Sequence, residues 1–261
     1  MNARVRVLGV PAWVDAAHLL GPSLVADGAD WVGEVPASYA ADLAARLHGV
    51  VLAGAPVTLV AEPPLPRAMV RAARTDEARR RRATTKAYAK VGVRLDETAR
   101  LGWTPEALAD AIAAPYAGKR VLDATAGGGG NTIAFARAGC VVTAVEQHAG
   151  RAASLRHNLA MYGVSAEIVV GDAFVEVPSR SADVLWLDPP WGEDYRAPCG
   201  AADLPLVAML DDPAVRARYG TVLVKVPPAF DPSTTPWARP TAVFGLAEGD
   251  RRRVKMVVLT G

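Results

Sequence analysis

Residues 120–139 read RVLDATAGGGGNTIAFARAG, and this stretch decides the fold. RVLDAT (120–125) is a short apolar run of the kind buried in a parallel sheet, and NTIAFARAG (131–139) has apolar residues at helical spacing. Four glycines, Gly127 to Gly130, join the two. Such a turn lets the backbone approach a ligand closely, because no Cβ stands in the way. Outward from this point the pattern repeats. VVTAVE (141–146), AEIVVG (166–171), ADVLWL (182–187) and TVLVKV (221–226) predict further strands, and GRAASLRHNLAMYG (150–163) predicts a helix. TAVFGLAEG (241–249) and RRRVKMVVLT (251–260) predict two last strands that meet at Gly249-Asp250 as an antiparallel hairpin. The expected fold class is α/β, a doubly wound and mostly parallel sheet of Rossmann-like type that ends in an antiparallel hairpin.

Ahead of this pattern, residues 1–80 predict a small N-terminal α/β domain or extension. VRVLGV (5–10) and PVTLVA (56–61) read as short strands, and SYAADLAARLHGV (38–50) as a helix with Leu43, Leu47 and Val50 on one face. After the stiff EPPLP (62–66), MVRAARTDEARRRRATTKAYAK reads as one or two basic helices. The expected organisation is thus 1–80, then a basic helical linker and pre-sheet helix over 81–118, then the main domain over 119–261.

Composition excludes several classes. Half of the 261 residues are apolar and 21% charged, a balance that fits a folded globular chain and not a disordered one. Cys140 and Cys199 lack zinc or redox spacing, and His18, His48, His148 and His157 form no ligand set, so no metal site is expected. The N-terminus lacks a signal-peptide run and no stretch is long enough to span a membrane, which leads us to expect a cytoplasmic protein. Net charge is +2, but ten basic residues face two acidic ones between Arg67 and Arg94, a local +8 that leaves −6 elsewhere. Such a run either meets phosphates or forms a solvated helix face.

Three acids fall at successive strand ends. Asp123 closes the first strand, Glu146 the second and Asp172 follows the third. Glu146 is suited to accept both hydroxyls of a ribose, and Asp172 the exocyclic amine of adenine. Singly, each is an ordinary strand-end acid or turn cap; together they suit a nucleoside lying across the sheet edge. The candidate cofactor contacts are Asp123, Ala124, Thr125, Gly127, Asn131, Thr132, Glu146, Gln147, Asp172, Ala173 and Asp188. No Lys-Ser/Thr pair follows the glycines, which argues against a nucleotide triphosphatase, and NAD lacks a residue suited to hydride chemistry.

The fourth strand delivers Leu187-Asp188-Pro189-Pro190-Trp191-Gly192. Two prolines fix φ and remove two N–H donors, so carbonyls here are free to face a cleft. An amino group on an aromatic ring is a poor nucleophile, because its lone pair is delocalised. A site that accepts its hydrogens at Asp188 and a proline carbonyl pushes that lone pair outward, while Trp191 stacks on the ring and sets the line of attack. Asp188, Pro189 and Trp191 are the catalytic candidates. Pro190, Trp191, Gly192, Glu193 and Trp103 are the substrate candidates. A core or interface role is expected for Trp13, Trp31, Trp186 and Trp237.

At these residues the chain resembles the trimethylguanosine synthase family of class I S-adenosylmethionine-dependent methyltransferases. The similarity starts at Val93-Arg94-Leu95-Asp96 and Thr104-Pro105-Glu106 and runs through Asp123, Gly127 and Asn131-Thr132-Ile133. It continues at His157-Asn158, Tyr162-Gly163-Val164, Gly171-Asp172, Pro189-Pro190-Trp191-Gly192 and Asp194-Tyr195, and so spans about 90–260. It implies S-adenosylmethionine as cofactor, held at Asp123, Glu146 and Asp172, catalytic contacts at Asp188 and Pro189, and a base stacked on Trp191. The chain departs from the family at Glu193, where a second glycine is usual, and at Asp188, which is often serine. The resulting expectation is N-methylation of an exocyclic or ring nitrogen of a guanine-like base in RNA. The alternatives are a free purine-like or other heteroaromatic metabolite as acceptor, a protein glutamine, or a binding module without activity.

Overall fold

The computed structural model describes residues 1–191 and 197–261, and for Thr98 and Leu101 the backbone alone. Its first part is a four-stranded antiparallel sheet in the order β2-β3-β1-β6, formed by β1 (Asn2–Leu8), β2 (Val25–Asp27), β3 (Asp30–Pro36) and β6 (Thr58–Glu62). Helix α1 (Ala16–Leu20) follows β1, and α2 (Ala37–Leu47) follows β3. A two-stranded ladder of β4 (Val51–Leu52) and β5 (Ala55–Pro56) precedes β6. Alternation along β1 turns Ala3, Val5 and Val7 into one cluster with Leu20, Leu43 and Leu47. The β2–β3 hairpin lies outside the sequence expectation for a physical reason. All three residues of β2 are exposed, so no alternation marks it.

Helix α3 (Arg67–Arg80) carries the basic run as far as Arg80 and no further. Residues 81–96 are turns and extended chain, which corrects the helical linker expected there. The backbone groups of this segment find tertiary partners in place of helical ones. The Thr85 N–H and hydroxyl donate to the two Asp250 carboxylate oxygens at 2.9 and 2.8 Å, and the Ala89 N–H donates to Glu106 at 2.7 Å. The Arg94 N–H donates to Asn158 Oδ1 at 2.8 Å, and Asn158 Nδ2 returns a bond to the Arg94 carbonyl at 2.9 Å. The segment is a strap tied from the C-terminal strand pair to the second crossover helix. It ends in α4 (Glu97–Gly102), capped by Asp96, and α5 (Glu106–Ala113).

The main sheet has seven strands: β7 (Arg120–Asp123), β8 (Val141–Glu146), β9 (Glu167–Val170), β10 (Ala182–Leu187), β11 (Tyr219–Val226), β12 (Arg239–Phe244) and β13 (Val254–Thr260). Their order is β12-β13-β11-β10-β7-β8-β9. The five from β7 to β11 are parallel, and β13 and β12 are antiparallel additions at one edge. Helices α6 (Gly130–Arg137), α7 (Ala149–Tyr162), α8 (Ala173–Ser179), α9 (Pro205–Ala208) and α10 (Pro213–Arg216) connect them. One face buries Val121, Val184, Trp186 and Leu223 under Phe135 of α6, with the Phe135 and Trp186 rings 5.9 Å apart edge to face. The other face buries Leu122, Leu185, Leu187 and Val224. The last two strands are shorter than expected, and Gly249-Asp250 lies within a loop over 245–253 instead of a tight turn. There the Asp250 carboxylate holds Thr85, a tertiary contact that a two-residue hairpin turn leaves no room for.

Chain order reverses between β7 and β10, whose following connections leave in opposite directions. A crevice at the carboxyl ends of a parallel sheet opens at such a point. Among the described residues no helix is long and apolar enough to cross a membrane.

Candidate active site

The glycine turn rises directly from β7 and is held by its neighbours. The Ala124 N–H donates to the Trp186 carbonyl at 3.0 Å and the Ala126 N–H to the Val145 carbonyl at 2.9 Å, so the chain keeps pairing beyond the strand end. Gly127 and Gly129 then adopt φ of +54° and +98°, which side chains rarely tolerate. The two glycines between and after them are required by packing. A Cβ on Gly128 would lie 2.3 Å from Leu95 Cδ2, and one on Gly130 would lie 3.2 Å from the Trp103 ring. Trp103, expected at the substrate edge, therefore lies against the glycine turn, with its indole N–H donating to the Ala87 carbonyl at 2.8 Å.

Asp123 is buried, at 1% exposure, behind this turn. The Thr132 hydroxyl donates to one of its oxygens at 2.6 Å and the Thr125 N–H to the other at 3.3 Å. Burial outweighs these neutral donors, and with the nearby charges of Asp188 and Glu146 it pushes the Asp123 carboxyl up to about 7. Glu146, also buried, accepts the Gly127 N–H at 3.0 Å and the His148 N–H at 2.8 Å. Each of its oxygens retains a lone pair for a further donor. Gln147 beside it is exposed. Asp172 is exposed and caps α8 by accepting the Phe174 N–H at 2.9 Å, with Ala173 buried behind it. Two buried polar atoms have no hydrogen-bond partner among the described residues: Asn131 Nδ2 and Thr104 Oγ1.

On the other side of the switch point β10 ends in Asp188. Its N–H donates to the Thr125 hydroxyl at 2.6 Å, which joins the two strand ends. Pro189 is buried, Pro190 exposed and Trp191 half-buried. Gly192 and Glu193, both expected to meet the acceptor, lie outside the described residues, as do Asp194 and Tyr195. Sequence reasoning missed Lys225 of β11. Its ammonium donates to Asp188 Oδ2 at 2.7 Å and to the Gly102 carbonyl at 2.8 Å, and it lies 4.9 Å from the centre of the Trp191 ring. Burial raises the Asp188 carboxyl above its ordinary range, and the Lys225 charge and hydrogen bond pull it back in part. The available signal was a lone cation inside the apolar run VLVKV (222–226). Asn158 was missed as a structural tie as well. Besides Arg94 it holds the Gly128 carbonyl at 2.8 Å, linking strap, crossover helix and glycine turn.

Residues 118–198 match the model of the RNA cap guanine-N2 methyltransferase family. A trimethylguanosine synthase of Schizosaccharomyces pombe is 33% identical over 113 residues, which cover 39% of this chain and 47% of that protein. Over this part the chain is similar to the trimethylguanosine synthases. It spans about half the length of that curated relative. A structure from Porphyromonas gingivalis W83, assigned as a methyltransferase, superposes with a TM-score of 0.52 at 15% identity, covering 76% of this chain and 51% of that one. A T. thermophilus 16S rRNA N2 methyltransferase, solved with AdoMet and guanosine, is more distant, with a TM-score of 0.46 at 16% identity over 95% of this chain and 59% of its own. The fold is that of the class I methyltransferases, with the mostly parallel sheet and the antiparallel terminal strand pair expected from the sequence.

The residues of this methyltransferase fold suit S-adenosylmethionine. Asn131 Nδ2 is a buried donor without a partner among the described residues, on a residue only 7% exposed. At Gly127 an added Cβ would meet only the Thr125 carbonyl oxygen, at 4.0 Å, so the backbone there is open to a close approach, and Asp123 and Glu146 are acceptors beside the same turn.

Proposed function

We propose that this chain transfers a methyl group from S-adenosylmethionine to a guanine-type nitrogen, the exocyclic N2 first, in RNA. The observation that carries the reading is the Asp188-Pro189-Pro190-Trp191 turn, joined to the glycine turn through one hydrogen bond from Asp188 to Thr125. When bound, the cofactor supplies an electrophilic methyl on a sulfonium. Asp123, Asn131 and Glu146 would hold it on the glycine side. The Asp188 carboxylate accepts an N–H of the acceptor amine and pushes its lone pair outward, and Trp191 sets the ring plane. Acceleration then comes from alignment and polarisation, with no covalent intermediate. The match to the guanine-N2 family supports the nitrogen, and the basic surface supports RNA. Arg82, Lys86 and Arg94 of the strap are exposed and have no ion pair among the described residues.

The test is a labelled methyl donor incubated with the protein and total RNA, followed by nuclease digestion and separation of nucleosides. N2-methylguanosine carrying the label is the expected product, with RNA affinity falling steeply as salt rises. Label confined to free small molecules would overturn the RNA assignment. Label on a protein side chain would overturn the base assignment too.

A further inference from the structure

Lys225 is 3% exposed and lies among Val222, Leu223, Val224 and Val226 of β11, all buried. A buried ammonium is costly to desolvate, and replacing a buried ion pair with apolar residues is often neutral or stabilising. Core stability alone therefore gives no reason for a lysine at this register. Its geometry gives another. The ammonium has three hydrogens: one goes to Asp188 Oδ2 at 2.7 Å and one to the last carbonyl of α4, Gly102, at 2.8 Å. The charge also lies 4.9 Å from the Trp191 ring, and the Trp191 indole N–H donates back to the Lys225 carbonyl at 3.3 Å. Asp188, Trp191 and the helix beside the glycine turn are thus connected through one side chain.

We propose that Lys225 is a positioning residue: its ammonium keeps the Asp188 carboxylate charged and aimed at the acceptor nitrogen, and ties that carboxylate to α4 and to Trp191. This rests on the acceptor-side role given to Asp188 above. A protonated carboxyl donates from one oxygen, so it no longer presents a full carboxylate to an amine hydrogen. Burial drives Asp188 toward that protonated form, and Lys225 opposes it by charge and by hydrogen bond. Among the described residues Asp123 at the end of β7 is a further charged group near this point, and both Asp188 and Glu146 of β8 act on it as like charges. Among the described residues Lys225 is the cation at hydrogen-bond distance from Asp188.

The experiment titrates the Asp188 carboxyl by 13C NMR in aspartate-labelled protein without ligand, with the signal assigned from Asp188→Asn, in wild type and in Lys225→Met. The midpoint is expected to rise by one pH unit or more in Lys225→Met, about tenfold in the protonation constant. The acid limb of kcat for methyl transfer should move up with it, and Lys225→Arg should recover much of both. An unmoved midpoint in a folded variant, or a loss of kcat equal at every pH, would overturn the proposal. If Lys225→Met fails to fold, Lys225→Gln gives the same reading with a polar, uncharged side chain. A shifted midpoint in a protein that methylates no guanine would support the Lys225–Asp188 coupling and overturn the RNA reading. An unmoved midpoint in a protein that does methylate guanine would overturn the coupling alone.

Discussion

The glycine turn after β7 and the proline turn after β10 stand side by side on one sheet edge, and each contains a carboxylate. They are built differently. Asp123 receives a threonine hydroxyl and a backbone N–H, both from within ten residues of itself, and it has no ion pair among the described residues. Asp188 is held by an ammonium 37 residues further along the chain, which also reaches α4. The Asp123 side chain is satisfied locally, once β7 and α6 have formed, although the glycine turn above it is also tied to β8, β10 and α7. The arrangement at Asp188 exists only after β10, β11 and α4 have been assembled. This difference suits a division of labour. Under the proposed function, the carboxylate on the cofactor side needs only local donors, whereas one that stays charged beside an acceptor needs a counter-charge from elsewhere.

The comparison is broken most directly at Asp188. Asp188→Ala is expected to lower kcat by about 10²-fold or more, the size of a lost transition-state contact. Its cofactor affinity by calorimetry should stay near that of wild type; a collapse of cofactor binding instead would mean that the two turns are not separable. Trp191→Ala should raise the acceptor KM about tenfold, within the range of losing one base stack, again with cofactor affinity retained. A normal KM in that variant would remove Trp191 from the acceptor site.

The glycine side should respond in stability. Gly129→Ala forces a side chain to φ +98° and toward Leu155 Cδ1, 2.4 Å from the added Cβ. We expect a loss of about 1–3 kcal/mol in unfolding free energy from backbone strain. Denaturation midpoints equal to those of wild type would show that the turn relaxes freely. A further effect on the glycine side is a slope with pH. Asp123 titrates near 7 in the fold against an ordinary 3.8. A raised carboxyl contributes stability that is fully present below the lower value and is lost as pH rises toward the higher one. Between about pH 4 and 7 wild type should therefore lose stability relative to Asp123→Asn. Parallel melting curves of the two across that window would sink the assignment of a protonated Asp123.

How much of this was visible beforehand follows from the same contrast. The glycines, Asp123, Glu146 and the Asp-Pro-Pro-Trp run are contiguous signals, and each is found where its strand ends. Asp172 was visible in the same way as a strand-end acid, and the structure adds that one of its oxygens caps α8. Trp103 was visible as an aromatic near the cleft, while its seat on Gly128 and Gly130 depends on α4, which is six residues long. The strap over 81–96 misled because its Ala-, Arg- and Lys-rich composition favours helix, whereas Asp250, Glu106 and Asn158 satisfy its backbone from other parts of the fold.

Periodicity in the chain alone was sufficient for the parallel sheet and the order of its elements, because burial on both faces imposes continuous apolar strands and glycine punctuates the turn between them. The pairing of Asp188 with Lys225, the placing of Trp103 and the course of the strap were decided by tertiary structure. Each depends on which distant strand or helix comes to lie within about 3 Å, and local residue preference has no information about a partner that far along the chain.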